Sequence, residues 1–449
     1  MPVNSLVLTS VLALSAVSAV FVALGVLAWR RSRLQKPEAH APFPLPCPPQ
    51  VYTTDETARP AGPVVWETFE RSGPSAATSW RYEDQPALWR EALAVLGMRL
   101  ETWGVVHIAL VHGTFMGDDP FSIAGTVRAL VPGLRPETEH AVSKLARSAS
   151  RQVLRDHGNF LAEYAELLGR GLASSIRVER FSWSAGNYHL ARLEAAIELT
   201  RYLDTSLGRL SQETPARVLL VGHSHAGQVF ALLVQMLAEV EHVPELFAVA
   251  EESGADIPLL RERLGRLRSF GLDVVTLGTP PRYGWPLWPG YRLLHIINHR
   301  GSAPTAGSIR GLLHTTDGDY IQQWGIAGSD LPAADAKARK LNLRLDAILG
   351  VGADTKAWRG HVRAKVRVPA YGKTLLVDYR DGNRLKPNAV DTFFGHAVYT
   401  RKRVMLFNFE LIAEHLYPAL PSEIVEARGG ALVRWLRSRV RLRHSARAG

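Results

Sequence analysis

The sequence predicts an α/β fold in which a mostly parallel sheet carries helices on both faces. Three observations lead to this prediction. Short apolar runs alternate with longer segments of helical periodicity between residues 100 and 420. The apolar runs are continuous, as in strands that are buried on both sides, and do not alternate with polar residues. The chain has 449 residues, 46% of them hydrophobic, which is enough for a large core.

The predicted strands and helices follow one another as a parallel sheet requires. Strands are expected at about 105–111, near 176–182, and in the segments ARVLLVG, LDVVTLGTP, RLLHIIN and GKTLLVDYRDG. Helices are expected in HLARLEAAIELTRYLDTSL, AGQVFALLVQMLAEV and VMLFNFELIAEHLYP. In such sheets the chemistry gathers at the carboxyl ends of the strands, so candidate residues are sought there.

Residues 1–36 are predicted to form a transmembrane anchor with a basic flank. The uncharged run at 5–29 rises about 1.5 Å per residue as a helix, so it is long enough to cross a hydrocarbon core of about 30 Å. A cleaved signal peptide is the alternative, but the N-terminal MPVN has no basic side chain and the apolar run is too long. The basic residues of 30–36 follow the run, which predicts a single-pass protein whose body faces the cytoplasm.

Three further segments complete the predicted domain organisation. Residues 37–64 are rich in proline and are expected to form a linker, residues 65–420 the α/β domain, and residues 421–449 a basic amphipathic tail. The net charge of +11 comes from the two ends, because 30–36 carries +4 and 428–449 carries +7. The neutral body argues against nucleic acid as a partner. The tail is either disordered or in contact with anionic lipid, and the neighbouring anchor favours lipid.

The segment RVLLVGHSHAGQVFALLVQ, residues 217–235, contains the candidate nucleophile Ser224. It matches G-x-S-x-[GA] at a point where an apolar strand ends and a helix begins, which is the context that the motif requires. Small residues around the serine leave room for a strained turn, and the N-terminus of the helix favours negative charge. The N–H of His225 is therefore expected to stabilise an oxyanion. A second match, residues 73–77, lacks both the strand and the helix.

Two other interpretations of this segment are open. His223 and His225 could bind a metal, but neither a carboxylate nor another histidine follows closely, so no metal is expected. Ser224 could also be an ordinary polar residue of a turn. The single cysteine, Cys47, excludes an internal disulfide and a zinc site built on several thiolates. No cofactor is expected.

The GHSHAG turn and the order of the elements resemble the α/β-hydrolase superfamily, and within it the lipase- and esterase-like serine hydrolases. The resemblance covers roughly residues 100–418. LVHGTF ends an early strand with an HG pair, which implies that the N–H of Thr114, or else that of Phe115, belongs to the oxyanion hole. FSWSAGNYHLARLEAA resembles the segment that often precedes the nucleophile in this group. FFGHAVYT implies that His396, in a loop after the last strand, is the catalytic histidine.

The serine needs a base, and His396 is also the candidate that remains by elimination. If the order along the chain is serine, acid, histidine, the base follows the last predicted strand. His415 lies within a predicted helix and His444 lies in the basic tail, whereas His396 is in a loop. The alternative is that His396 is an ordinary loop histidine.

The acid has three candidates. Residues 278–316 contain neither Asp nor Glu, so the acid does not directly follow the strand after the nucleophile. The resemblance implies an Asp-x-apolar loop after the penultimate strand, and Asp319 matches this best, with Asp317 and then Asp330 as alternatives. The pair formed by Asp317 and Asp319 also permits a calcium site, but it lacks a glycine-kinked loop and a terminal Glu.

These expectations describe a membrane-anchored serine hydrolase that cleaves carboxylic esters. Lipid or acyl esters are favoured because an anchored enzyme meets lipid at high local concentration. The expected partners are membrane lipid and the acyl-ester substrate. The alternative is a catalytically inactive membrane-tethered scaffold or binding protein on a hydrolase fold. Residues 116–175 form either a lid or plain scaffold, and the sequence leaves the oligomeric state open.

Overall fold

The structure is a computed structural model that describes part of the predicted α/β domain. The described residues are 65–69, 86–114, 159–172, 175–208, 216–280, 282–286, 288–299, 318–325, 330, 333, 335–350, 372–377, 379 and 394–417. The predicted anchor, linker and basic tail (1–36, 37–64 and 421–449) and most of the candidate lid (116–175) lie outside these residues. None of the described helices is long and apolar enough to cross a bilayer.

Seven strands within the described ranges form one sheet, and each pair of neighbours is parallel. The strands are β1 (Val65–Phe69), β2 (Val105–Val111), β3 (Arg177–Phe181), β4 (Arg217–His223), β5 (Gly271–Leu277), β6 (Tyr291–Asn298) and β7 (Lys373–Val377). Their order across the sheet is β1-β7-β6-β5-β4-β2-β3. The chain leaves β2 toward one side of the sheet and leaves β4 toward the other. The crevice at the carboxyl ends of two such strands is where open α/β sheets bind ligands.

Helices cover both faces of the sheet. In the described part of the chain they are α1 (Pro86–Thr102), α2 (Ala162–Gly171), α3 (His189–Leu207), α4 (Ala226–Ala238), α5 (Val243–Ser253), α6 (Ile257–Leu267), α7 (Tyr320–Gly325), α8 (Ala336–Leu349) and α9 (Met405–Leu416). Helices α3 to α6 and α8 share one apolar cluster with strand residues such as Leu220 and Val274. Helices α1, α2 and α9 share a second cluster with Leu219 and Val275. Neighbouring strand residues thus point to opposite faces, and both faces are apolar because both are buried.

The prediction of a parallel α/β sheet with helices on both faces is confirmed. The six predicted strands correspond to β2–β7, and the three predicted helices correspond to α3, α4 and α9. The sequence analysis missed helices α1, α5, α6, α7 and α8, and it missed β1. The segment VWETF of β1 includes two polar residues, and β1 lies at the end of the sheet with β7 as its neighbour. An edge strand need not be a continuous apolar run, so this one gave no clear signal.

Candidate active site

Ser224 occupies the turn between β4 and α4, at the carboxyl end of the sheet. Its φ is +56°, in a left-handed region that residues other than glycine seldom adopt, and such strain costs about 1–3 kcal/mol. Its N–H donates to the carbonyl of Leu277 at 2.8 Å, and the hydroxyl of Thr279 donates to its carbonyl at 2.6 Å. Both polar backbone groups of the strained serine are therefore held by the end of β5 and the loop behind it.

Gly113, just after β2, allows the chain to pass directly beside the serine. A Cβ on Gly113 would lie 2.5 Å from the Cβ of Ser224 and 2.9 Å from the carbonyl oxygen of His223. A larger residue would therefore displace the serine turn. The ends of β2 and β4 thus meet at the crevice where their connections diverge.

His396 and Asp319 form a buried hydrogen-bonded pair. The Nδ1–H of His396 donates to Oδ2 of Asp319 at 2.8 Å. Burial opposes the charge of Asp319, but His396, the N–H of Gln322 and the hydroxyl of Tyr399 outweigh it and lower the pKa of this carboxyl. Asp319 is therefore ionised at neutral pH. With Nδ1 of His396 bound to the carboxylate, its Nε2 is the nitrogen left to accept a proton.

Three other segments hold the loop that carries His396 by hydrogen bonds to its backbone carbonyl groups. The N–H of Tyr320 donates to the carbonyl of Phe394 at 3.0 Å, and the side-chain amide of Asn298 donates to the carbonyl of Gly395 at 2.8 Å. The Nε2–H of His223 donates to the carbonyl of His396 at 2.9 Å. Phe394 and Gly395 both have positive φ, 55° and 81°. The backbone just before the histidine is therefore tightly turned and anchored to the ends of β4 and β6.

Ser224 and His396 lie in adjoining parts of the same sheet edge. The residue before the serine, His223, packs its ring 4.5 Å from that of His396, measured between centroids. Across the described residues, however, no hydrogen bond joins the hydroxyl of Ser224 to the imidazole of His396. Hydrogen bonds of this kind are often long or misaligned before a substrate binds. The arrangement brings together the three residues that the sequence analysis singled out, although Ser224 and His396 are not hydrogen-bonded to each other.

Thr114 and His225, whose N–H groups are the predicted oxyanion donors, contact each other across the crevice. Thr114 Oγ1 and His225 Nδ1 share a hydrogen bond of 2.5 Å. His225 precedes the first turn of α4, where backbone N–H groups lack partners within the helix. Burial, and then the positive charge of Arg192, lower the pKa of His225 well below its ordinary value, so its imidazole is neutral. The alternative donor, Phe115, lies outside the described residues.

The structure separates two of the three candidate acids. Asp330 accepts hydrogen bonds from Arg192 at 2.7 Å and from Arg282 at 2.5 Å. Burial opposes its charge, but the two arginines outweigh burial and lower the pKa of Asp330 well below its ordinary value. Asp330 is therefore the counter-charge of two buried arginines, whereas Asp319 is the carboxylate bonded to His396. Asp317, the other alternative, lies outside the described residues.

Among the described residues, no group of three or more His, Cys, Asp or Glu side chains is placed to hold a metal ion. The two histidines that flank Ser224 point to other partners, since His223 bonds the carbonyl of His396 and His225 bonds Thr114.

Two residues of this site were missed by the sequence analysis. Tyr399 donates to Asp319 Oδ2 at 2.8 Å, and Asn298 holds the histidine loop. Tyr399 lies within the segment FFGHAVYT, which was used only to choose His396, and both residues bond partners that are distant in sequence. Asp319, which was predicted, had one further local signal. Aspartate is a common residue at the start of a helix, and Oδ1 of Asp319 accepts the N–H of Gln322 at 2.8 Å in this way.

Comparisons of the chain with protein-family models, with curated proteins and with solved structures find no match.

Proposed function

We propose that this protein is a serine hydrolase that cleaves carboxylic esters, with Ser224 as nucleophile, His396 as base and Asp319 as the orienting acid. The observation that carries the proposal is the buried pair of His396 and Asp319, bonded at 2.8 Å beside the strained turn of Ser224. A histidine whose Nδ1–H is held by a carboxylate keeps Nε2 as a proton acceptor. A serine at a sharp strand-to-helix turn projects its hydroxyl from the carboxyl ends of the strands, although Ser224 itself is only 5% exposed.

The first half of the proposed reaction acylates the serine. When an ester binds in the crevice, the hydroxyl of Ser224 turns toward Nε2 of His396, which takes its proton as the oxygen attacks the carbonyl carbon. Asp319 stabilises the imidazolium without taking the proton itself. The carbonyl oxygen becomes an oxyanion beside the N–H groups of Thr114 and His225, and each such donor is worth about 3–4 kcal/mol to the transition state.

The second half of the reaction releases the acyl group. His396 gives its proton to the departing alcohol, which leaves the acyl group bonded to Ser224. Water then gives a proton to Nε2 and attacks the acyl carbon at the same two oxyanion donors. Collapse of that intermediate returns the proton to Ser224 and releases the carboxylic acid.

The fold around the site and the two ends of the chain support a proposal about the fold family and the substrate class. The parallel sheet, the serine turn after β4 and the histidine after β7 support membership of the α/β-hydrolase superfamily, in its lipase- and esterase-like part. The uncharged run at 5–29 and the basic tail at 428–449 support an anchored protein in contact with membrane lipid. Lipid or acyl esters are the substrates that such an enzyme would meet.

Labelling with a fluorophosphonate probe tests the proposal, because the probe reacts covalently with an activated serine. Ser224→Ala is expected to abolish labelling of the full chain. Ser75→Ala removes the serine of the second G-x-S-x-A match and is expected to label like the unaltered protein. If the unaltered protein does not label, or if Ser224→Ala still does, the enzyme proposal fails and the inactive scaffold becomes the better description.

A panel of acyl esters of graded chain length tests the substrate class. We expect hydrolysis to favour longer acyl chains, and deleting residues 1–36 to lower the rate on ester-containing vesicles while sparing a short, soluble ester. Equal effects on both substrates would argue against a lipid substrate.

A further inference from the structure

Tyr399 is fully buried and contacts the proposed acid through its hydroxyl group. Its hydroxyl accepts the backbone N–H of Asn298 at 2.7 Å and donates to Oδ2 of Asp319 at 2.8 Å. Burial, and then the negative charge of Asp319, raise the pKa of Tyr399 well above its ordinary value. The phenol therefore keeps its proton and is a permanent donor.

The phenol and the imidazole share one oxygen atom. Oδ2 of Asp319 receives both the Tyr399 hydroxyl and the Nδ1–H of His396, each at 2.8 Å. The other oxygen, Oδ1, receives the N–H of Gln322. Two donors on one oxygen divide its negative charge between them, and linked hydrogen bonds polarise one another. The chain of bonds from Asn298 through Tyr399 to Asp319 therefore ends at the imidazole.

A glycine makes room for this contact. Gly278, at the end of β5, has φ +62°, and a Cβ there would lie 2.6 Å from the ring of Tyr399 and 2.7 Å from Oδ2 of Asp319. The backbone of β5 therefore closes the space around the shared oxygen. This leaves little freedom for the carboxylate to rotate away from the imidazole.

We propose that Tyr399 is a positioning residue of the proposed triad: it holds Oδ2 of Asp319 against His396 and draws part of the carboxylate charge away from the imidazole. The inference rests on the proposed function, since it concerns the base of that reaction. Through Oδ2, Tyr399 keeps the imidazole oriented with Nε2 as the proton acceptor, and it weakens the attraction between the carboxylate and a protonated imidazole.

The other titratable groups that face His396 in the described structure do not provide this effect. Besides Asp319 and Tyr399, such groups include His223 at the end of β4 and His225 at the start of α4. His223 donates its Nε2–H to the backbone carbonyl of His396. Neither histidine bonds the carboxylate, so removing the Tyr399 hydroxyl changes the charge at Oδ2 without altering their hydrogen bonds.

Tyr399→Phe tests the proposal, with Tyr379→Phe as its matched control. Tyr379 is also buried, packs edge-on against Tyr399 at 5.2 Å between centroids, and uses its hydroxyl to bond Asn408 at 2.7 Å. Its hydroxyl does not bond Asp319. Both variants therefore lose one buried hydroxyl, but only Tyr399→Phe is expected to leave the full charge of Oδ2 facing the imidazole.

Two measurements on the full chain read out the effect. The first is the midpoint of the His396 titration, followed by the downfield proton signal of its Nδ1–H, which is assigned by its loss in Asp319→Asn. The second is the acidic limb of the fluorophosphonate labelling rate against pH. Tyr399→Phe is expected to move both upward by about half a pH unit, a threefold change in proton affinity. Tyr379→Phe is expected to move neither.

The outcomes separate this inference from the proposed function. An unchanged midpoint in Tyr399→Phe, or equal shifts in both variants, would overturn the positioning role. A shifted midpoint in a chain that never labels would support the role of Tyr399 while refuting hydrolysis. If Tyr399→Phe does not fold, 3-fluorotyrosine at position 399 provides a stronger donor of nearly the same shape. It is expected to lower the midpoint, and a rise or no change would count against the proposal.

Discussion

Two buried aspartates lie at opposite ends of the strands, Asp273 at the amino ends and Asp319 at the carboxyl ends, and their partners differ. Asp273, near the start of β5, accepts two hydrogen bonds from Arg217 and two from Arg292, all between 2.6 and 2.8 Å. Tyr417 adds its hydroxyl at 2.8 Å. Asp319, beyond the end of β6, also accepts a tyrosine hydroxyl, but its other side-chain partner is His396. Both carboxylates are fully buried.

The difference shows that the partner, not the burial, decides what a buried carboxylate can do. Burial opposes the charge of Asp273, but hydrogen bonds from Arg217 and Arg292 outweigh it and lower the pKa of this carboxyl. Arginine does not release its proton in proteins, so this group is a fixed clamp between three strands. Histidine gains and loses its proton near neutral pH, so the pair at the carboxyl ends can take part in proton transfer.

The largest expected effect is loss of serine reactivity in Asp319→Asn. The amide favours the wrong tautomer of His396, and the loss of such an acid costs about 10⁴ in rate in a known triad. The rate of fluorophosphonate labelling measures it. Asp273→Asn is the matched control, since it removes an equally buried carboxylate at the amino ends of the strands, and the folded protein should label at the normal rate. Similar losses in both variants would mean that the two ends do not differ as described.

The next largest expected effect is a loss of folding stability in Asp273→Asn, at the amino ends of the strands. Asp273→Asn leaves Arg217 and Arg292 without their counter-charge, and breaking such a buried group typically costs about 3–5 kcal/mol. Chemical denaturation measures the free energy of unfolding. Replacing the aspartate and both arginines together by apolar residues of similar size should recover much of the loss. A triple variant no more stable than Asp273→Asn would contradict this account.

A third expected effect is on how the free energy of unfolding depends on pH, and it involves His107, a residue away from the proposed triad. Burial lowers the pKa of His107 in β2 to about 4, from 6.5. As pH falls, the unfolded chain binds this proton first, so the stability contribution is complete above pH 6.5 and is lost by about pH 4. The full shift corresponds to at most about 3 kcal/mol.

His107→Gln provides the measurement for that third effect. Glutamine cannot titrate and can still bond the hydroxyl of Tyr202, which His107 contacts at 3.0 Å. The free energy of unfolding should depend less on pH between 6.5 and about 4 in this variant. The acidic limb of labelling, which we assign to His396, should stay in place. A displaced limb would show that the two regions are coupled.

The smallest effect concerns the crevice beside the serine. Gly113→Ala places a Cβ 2.5 Å from the Cβ of Ser224, and overpacking of this kind costs about 1–3 kcal/mol of stability. Because the strain falls on the serine turn, the labelling rate should fall as well. Gly265→Ala in α6 is the control, because no atom lies within 4 Å of its new Cβ. That control should label normally and gain slightly in stability. Normal labelling of Gly113→Ala would show that the crevice is looser than the contacts imply.

Much of the fold and part of the site could be predicted from the sequence. Ser224 was identified from one short segment because strand, turn and helix are all local there. His396 was identified by its loop position late in the chain. The choice among Asp317, Asp319 and Asp330 rested on a resemblance, because the three are close in sequence and similar in local pattern.

The sequence by itself determined the approximate positions of β2–β7 and that the sheet is buried on both faces. This was possible because burial on both faces requires a continuous apolar run, which is visible within a few residues. The tertiary structure alone decided that Asp319 bonds His396, 77 positions away, that Asp330 bonds two arginines, and that the hydroxyl of Tyr399 bonds Oδ2 of Asp319. Those assignments depend on how the ends of separate strands converge at one edge, and no local pattern contains that information.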